Sequence, residues 1–259
     1  MSDWFHGLSI FWLALIVFAL TTLVTAAIYA AVVALARNER RRTAFKGVSP
    51  GMLPPMALVF GLVVGFLAAQ VWSDANTAQA AVNREASALR AAVLLSERYP
   101  APTGARIRML VDRHIQQAVT VEWPAMAEQR ATLTLVPAAL GKALAVALAL
   151  SPTSEGQTVA QRELVASLQT AFDARRQRVI VSESSVNWVK WTGVILLAAL
   201  TLVAIAFVHC DNRLTAAVAM GVFAGAVAVS LVMIAAQSRP FAGQLAITPD
   251  PLEQVQPQR

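Results

Sequence analysis

Residues able to bind a metal or move a proton are few in this sequence, and they are scattered. Histidines stand at His6, His114 and His209, and no two fall at the spacing that would let one element present both to a single ion. His209, Cys210 and Asp211 are consecutive. Adjacent side chains cannot easily converge on one ion with good geometry, so this run is expected to be a short polar turn between helices and not a metal site. Glu122 precedes Trp123 and Pro124. A carboxyl beside an indole can hold its proton, but nothing near it in sequence completes an acid–base pair, and the segment reads as a helix end anchored by an aromatic. No P-loop, nucleophile elbow or zincin pattern occurs. The sequence therefore predicts no enzyme: no catalytic residue, no metal and no cofactor. A single cysteine, Cys210, excludes a disulfide framework within the chain.

The spacing that does carry a function is apolar. Leu58, Leu62 and Phe66 recur every four residues and share one helical face. In a ring of identical subunits such a stripe would line a narrow hydrophobic neck. Aromatic edges carry partial positive charge. Pro54 and Pro55, which a helix tolerates only in its first turn, set a helix N-terminus at the mouth, and both features favour anions. Gly61 and Gly65 form a small-xxx-small pair on the same run, and Gly221 and Gly225 form another, the spacing used for close helix packing in membranes.

Four apolar runs must position these residues: 8–36, 52–72, 188 or 191 to 208, and 214–236. Each is long enough to span a bilayer, which takes ~20 residues. The composition agrees, with 57% hydrophobic residues and only 14% charged, where soluble domains carry about a quarter. The first run is too long for a signal-peptide h-region, and the nine residues at the start hold no Lys or Arg. Apart from Lys190 at one end, the runs lack ionisable residues, which argues against a pump or proton-coupled carrier. The formal charge of +6 comes from basic residues beside apolar runs. No basic face interleaved with aromatics marks a nucleic-acid surface, so no nucleic-acid partner is expected.

Between the second and third runs, stripes at helical spacing predict a helical extramembrane domain: Val82, Ala86, Leu89 and Val93; Ile107, Val111, Ile115 and Ala118; Val165, Leu168, Phe172 and Val179. The run Leu140–Leu150, interrupted by Gly141 and Lys142, is too short to span and reads as a buried helix of that domain. Polar Ser73 and Asp74 mark the change from span to domain, and Leu245–Ile247 is expected to be briefly extended. The expected architecture is all-α and polytopic. Residues 1–72 hold spans 1 and 2, 73–187 the extramembrane domain, 188–236 spans 3 and 4, and 237–259 a tail. The link from Arg37 to Lys46 carries five basic residues in ten, which favours the cytoplasm for that link and the outer side, periplasmic in a bacterium, for the termini and the central domain. Arg175, Arg176, Arg178 and Lys190 count the other way. Trp72, Trp188 and Trp191, with Trp4, would anchor the spans at one interface as an aromatic belt.

Several short motifs resemble the bestrophin-like family of bacterial membrane proteins. These are Phe60-Gly61 and Gly65-Phe66, then Trp72, Arg84-Glu85-Ala86 and Leu89; Glu122-Trp123-Pro124; Asp211-Asn212-Arg213; and Arg239-Pro240-Phe241 with Gly243. The resemblance covers nearly the whole chain. It implies a homo-oligomer, pentameric by analogy with bestrophin anion channels, in the bacterial inner membrane, with small anions as the permeant partner and the second span lining the neck. Aligned on Gly65-Phe66, the neck is Leu58, Leu62 and Phe66; aligned on Trp72, it shifts one turn to Pro54, Leu58 and Leu62. The chain differs from bestrophins in having a single Trp72 where they carry a pair, and in lacking an acidic calcium clasp. Bestrophins also hold their termini in the cytoplasm, against the charge count here. The reading that competes with a channel is a non-conducting membrane-anchored scaffold or sensor that binds a protein through the central helices.

Overall fold

The computed structural model describes residues 9–134, 137–184 and 186–255, so Trp4 and His6 lie outside the described residues. Four helices are long and apolar enough to cross a membrane. They are α1 (Ile10–Leu35), α3 (Leu53–Ser96), α8 (Trp188–Val208) and α9 (Arg213–Gln237). The starts of α1, α8 and α9 are fixed by short polar caps. Ser9 accepts from the Trp12 N–H, Asn187 from that of Val189, and Asn212 from those of Leu214 and Thr215. A short helix α2 (Glu39–Lys46) and a 3-10 turn (Pro50–Met52) link α1 to α3.

The change expected at Ser73 and Asp74 is one of composition only, because α3 continues through both residues to Ser96. Its 44 residues rise about 66 Å at 1.5 Å each, twice the ~30 Å of a hydrocarbon core. The membrane-spanning part is thus the apolar stretch up to Trp72. Charged residues from Asp74 onward lie beyond it.

The chain forms two compact units. The first contains the described residues up to Trp72 and those from 186 to Ser238. Phe60, Leu67 and Val71 of α3 are buried there among Val194, Ala198, Val227 and Ile234, and Val32 of α1 packs with Leu202, Ile205, Ala206 and Met220.

The second unit joins residues 73–184 to the chain after Ser238, so the tail folds with the central helices. It holds the rest of α3, α4 (Thr103–Gln117), a π-helical segment (Ala118–Glu122), α5 (Trp123–Ala127), α6 (Ala138–Leu148), α7 (Glu155–Ser182) and α10 (Asp250–Glu253). Of the expected stripes, Val82, Ala86, Leu89, Ile107, Val111, Ile115, Ala118, Leu168 and Val179 are buried in one core, and Val93, Val165 and Phe172 pack on it partly exposed. Helix α6 buries Ala139, Leu140, Ala143 and Ala147, as a core helix should. At the start of α4, a Cβ on Gly104 would lie 2.3 Å from the Ser96 carbonyl oxygen and 3.0 Å from that of Tyr99, so only glycine fits this crossing. Leu245 lies in a turn, and residues 245–247 form no strand. Gly243 adopts φ 90°, open to glycine without steric cost, and the chain turns so that the Ile247 N–H donates to the Pro240 carbonyl at 2.8 Å.

Candidate functional site

The apolar stripe of α3 stands free among the described residues. Leu58, Leu62 and Phe66 are 72%, 55% and 68% exposed, and Pro54, Gly61 and Gly65 are exposed on the same face. The opposite face carries Phe60, Leu67 and Val71 into the core of the first unit. Amphipathicity cannot have chosen between these faces, since both are apolar; shape does, with Phe60 seated against Phe223 at 5.3 Å between ring centroids.

A Cβ added at Gly61, Gly65, Gly221 or Gly225 would meet nothing within 4 Å, so none of the four brings two helices of this chain into close contact. Gly221 and Gly225 instead line an open cavity of about 240 Å³ with Ala224, Ala228, Phe18, Thr22 and Thr25. Among the anchors, Trp72 and Trp188 are exposed, and Trp191 is half-buried against the core. Lys190 Nζ donates to Gln70 Oε1 at 2.5 Å. In the link between α8 and α9 the three adjacent polar residues diverge. His209 Nδ1–H donates to the Ile205 carbonyl at 3.0 Å, Asp211 pairs with Arg42 at 3.2 Å, and Cys210 is a free thiol.

A second constellation lies in the other unit, and it is ionic. Helices α3, α4 and α7 and the π-helical segment bring buried Glu85, His114, Arg175 and Arg178 together with half-buried Glu122. Arg178 is wholly buried and binds both carboxylates. Its Nε and Nη2 donate to Glu85 at 2.7 and 3.2 Å, and Nη2 also donates to Glu122 at 2.9 Å. Arg175 grips the other Glu122 oxygen at 2.8 Å through Nε and 2.7 Å through Nη2. His114 Nε2 lies 2.9 Å from Glu85 Oε1, and because a carboxylate only accepts, Nε2 carries the hydrogen. Nδ1 of the same ring is buried without a partner among the described residues.

Trp123 closes the cluster. The Arg178 guanidinium sits 4.7 Å from the centroid of its ring. Phe241 meets it edge-on at 5.6 Å, and the indole N–H donates to the Ile247 carbonyl at 3.0 Å. The π-helical segment explains how Glu122 reaches this point. A wider turn rotates less per residue than an α-turn, which brings Glu122 back toward the face that carries His114.

Burial alone would push the Glu85 carboxyl up. The Arg178 guanidinium and the His114 hydrogen bond outweigh it and hold Glu85 down at about 2. Burial likewise works against the charge on Arg178, and Glu85 and Glu122 more than restore it, so its pKa is raised.

Two readings from the sequence are corrected here. Glu122 is not a carboxyl without a charged partner, since two guanidiniums bind it. Arg175 and Arg178, counted toward topology as basic residues before the third span, are instead buried and paired. A local signal for this existed: Glu85 lies inside the stripe Val82, Ala86 and Leu89, and His114 lies inside Val111, Ile115 and Ala118. An ionisable residue on an apolar face must find a partner on another element. Three of the separated motifs noted above, those around Glu85, Glu122-Trp123 and Phe241, meet at this one place.

A family model described as the Bestrophin-like domain matches residues 16–252. No curated protein and no solved structure matches the chain.

Proposed function

The chain belongs to the bestrophin-like family, and from that premise we propose that it is the subunit of an oligomeric, anion-conducting channel whose neck is the exposed face of α3. The observation that carries the reading is the unpartnered stripe of Leu58, Leu62 and Phe66 on a helix whose other face is locked into the subunit core. A ring of subunits would turn that stripe toward a common axis. Five copies are what the relation to bestrophins implies. Gly61 and Gly65, open on the same face, leave room for a neighbouring backbone to approach.

Conduction follows from the chain's own groups. Leucine and phenylalanine side chains at the neck expel water when the constriction is narrow, so small changes of radius switch the pore between wet and dry. The Phe66 ring edge presents partial positive charge to a passing anion, whereas the start of α3 offers little, since the Leu53 N–H donates to the Pro50 carbonyl and Pro54 and Pro55 have none. No step calls for a catalytic residue. The basic link between α1 and α3 favours a cytoplasmic position for that link, in the inner membrane of a bacterium.

The test is macroscopic current from the purified protein in a planar bilayer under a chloride gradient. Reversal near the chloride equilibrium potential is the expected result. Leu62→Ala is expected to widen the neck and raise single-channel conductance; an unchanged conductance removes these residues from the pore. Absence of current from an intact, assembled ring would favour the non-conducting scaffold instead.

A further inference from the structure

The link between α1 and α3 does more than cross from one span to the next. Helix α2 is docked at its far end and on one edge: Phe45 stacks on Phe207 of α8, with ring centroids 4.5 Å apart and planes at 16°, and Arg42 pairs with Asp211 at 3.2 Å. That docking leaves Arg37, Arg40 and Arg41 exposed, with no carboxylate partner among the described residues. Arg213, at the start of α9, is exposed at the same end of this unit, where the Tyr29 hydroxyl donates to its carbonyl at 3.4 Å. The charge count at this end is five arginines (37, 40, 41, 42 and 213) and Lys46 against two carboxylates, Glu39 and Asp211. Glu39 stands 3.9 Å from Arg42, and Asp211 is also engaged by Arg42, so both face the one arginine already docked.

The three free guanidiniums stand where the spans stop being apolar. Leu35, the last residue of α1, is 40% exposed, and Met52, just before α3, is 49% exposed. Exposed apolar side chains that flank the unpaired guanidiniums along the chain match a molecule with acyl chains next to a phosphodiester. We propose that Arg37, Arg40 and Arg41, held up by the docking of α2, form a binding surface for the headgroups of anionic phospholipids. Guanidinium binds phosphate oxygens in pairs, and each basic residue close to an anionic surface adds about fivefold to binding. The proposal rests on the chain's place in a bilayer and not on conduction, so a non-conducting protein would show the same lipid dependence.

The experiment uses the full-length protein purified in a neutral detergent, with phosphatidylglycerol, phosphatidylcholine and inorganic phosphate as probes. Bound lipid is counted by native mass spectrometry, and the thermal midpoint is followed in parallel. Wild type is expected to retain phosphatidylglycerol over phosphatidylcholine and to be stabilised by it. The variant R37Q/R40Q/R41Q should bind phosphatidylglycerol about tenfold more weakly or worse, with phosphatidylcholine unchanged. R37K/R40K/R41K, which keeps the charge, should retain most of the preference, and R90Q/R106Q/R162Q, which removes three exposed arginines of the other unit, should not alter it. Equal phosphatidylglycerol binding by wild type and R37Q/R40Q/R41Q would overturn the proposal. So would equal retention of both lipids by wild type. Stabilisation by inorganic phosphate matching that by phosphatidylglycerol would assign the arginines to a free anion and overturn the lipid assignment.

Discussion

Glu85 keeps its charge where no water reaches it because three hydrogen bonds from two residues point at its two oxygens. An ion pair so placed is not a large net gain over apolar packing, since desolvation of both charges offsets much of their attraction. Its force shows when it is broken. Arg178→Met would strand Glu85 in the core and leave Glu122 with Arg175 alone, and a loss of about 3–5 kcal/mol is expected, read as a fall in the thermal midpoint of the purified protein. Replacing both partners, as Glu85→Leu with Arg178→Met, should recover a large part of that loss. If the single substitution leaves the midpoint where it was, the cluster contributes nothing to stability. This arrangement was only half legible in the sequence. That Glu85 and His114 sit on apolar faces can be read from their neighbours. The guanidinium that binds Glu85, that of Arg178, lies 93 residues away, and no local pattern names it. Arginines close to a membrane span are ordinarily set by topology, and this prior hid two of them.

Among the elements, α3 was the easiest to find and the easiest to misdivide. Its apolar half is evident because lipid demands an unbroken apolar surface, and its polar half because Ala-rich helical stripes continue past Trp72. Ser73 and Asp74 mark where lipid ends and interrupt no hydrogen bonding, so the chemical boundary is not a structural one. The π-helical segment at 118–122 left no trace in the sequence, because its extra residue per turn is stabilised by the Glu122 contacts it creates. The exposed stripe was visible as a period of four, while its freedom from intrachain partners was not, since Phe60 and Phe66 have the same chemistry. The junction of α3 with α4 gives a test at this scale. Gly104→Ala places a methyl group against backbone carbonyls that cannot swing aside, and a loss of about 1–3 kcal/mol is expected on thermal unfolding. Gly156→Ala, where the new methyl group meets nothing within 4 Å, serves as the control and should be close to neutral.

For the molecule as a whole, the two units answer acid differently. The depressed Glu85 sits in the second unit. A carboxyl whose folded pKa lies below its ordinary value lends stability that is fully present above that ordinary value, 4.5 here, and fades as pH falls toward about 2. The loss is on the order of 3 kcal/mol when complete. Limited digestion with an acid-active protease at pH 3 should therefore cut within residues 73–184 well before the first unit; simultaneous cleavage of both units would contradict this. The same cluster has an optical consequence. Of six tryptophans, Trp123 alone falls between residues 73 and 184, and the tail has none. Its ring is shielded from water, faced by a guanidinium and flanked by Phe241. A chain with the other five tryptophans changed to phenylalanine would carry a single tryptophan, which red-edge excitation selects over Tyr29 and Tyr99, and its emission colour reports the state of the Glu85–Arg178 cluster.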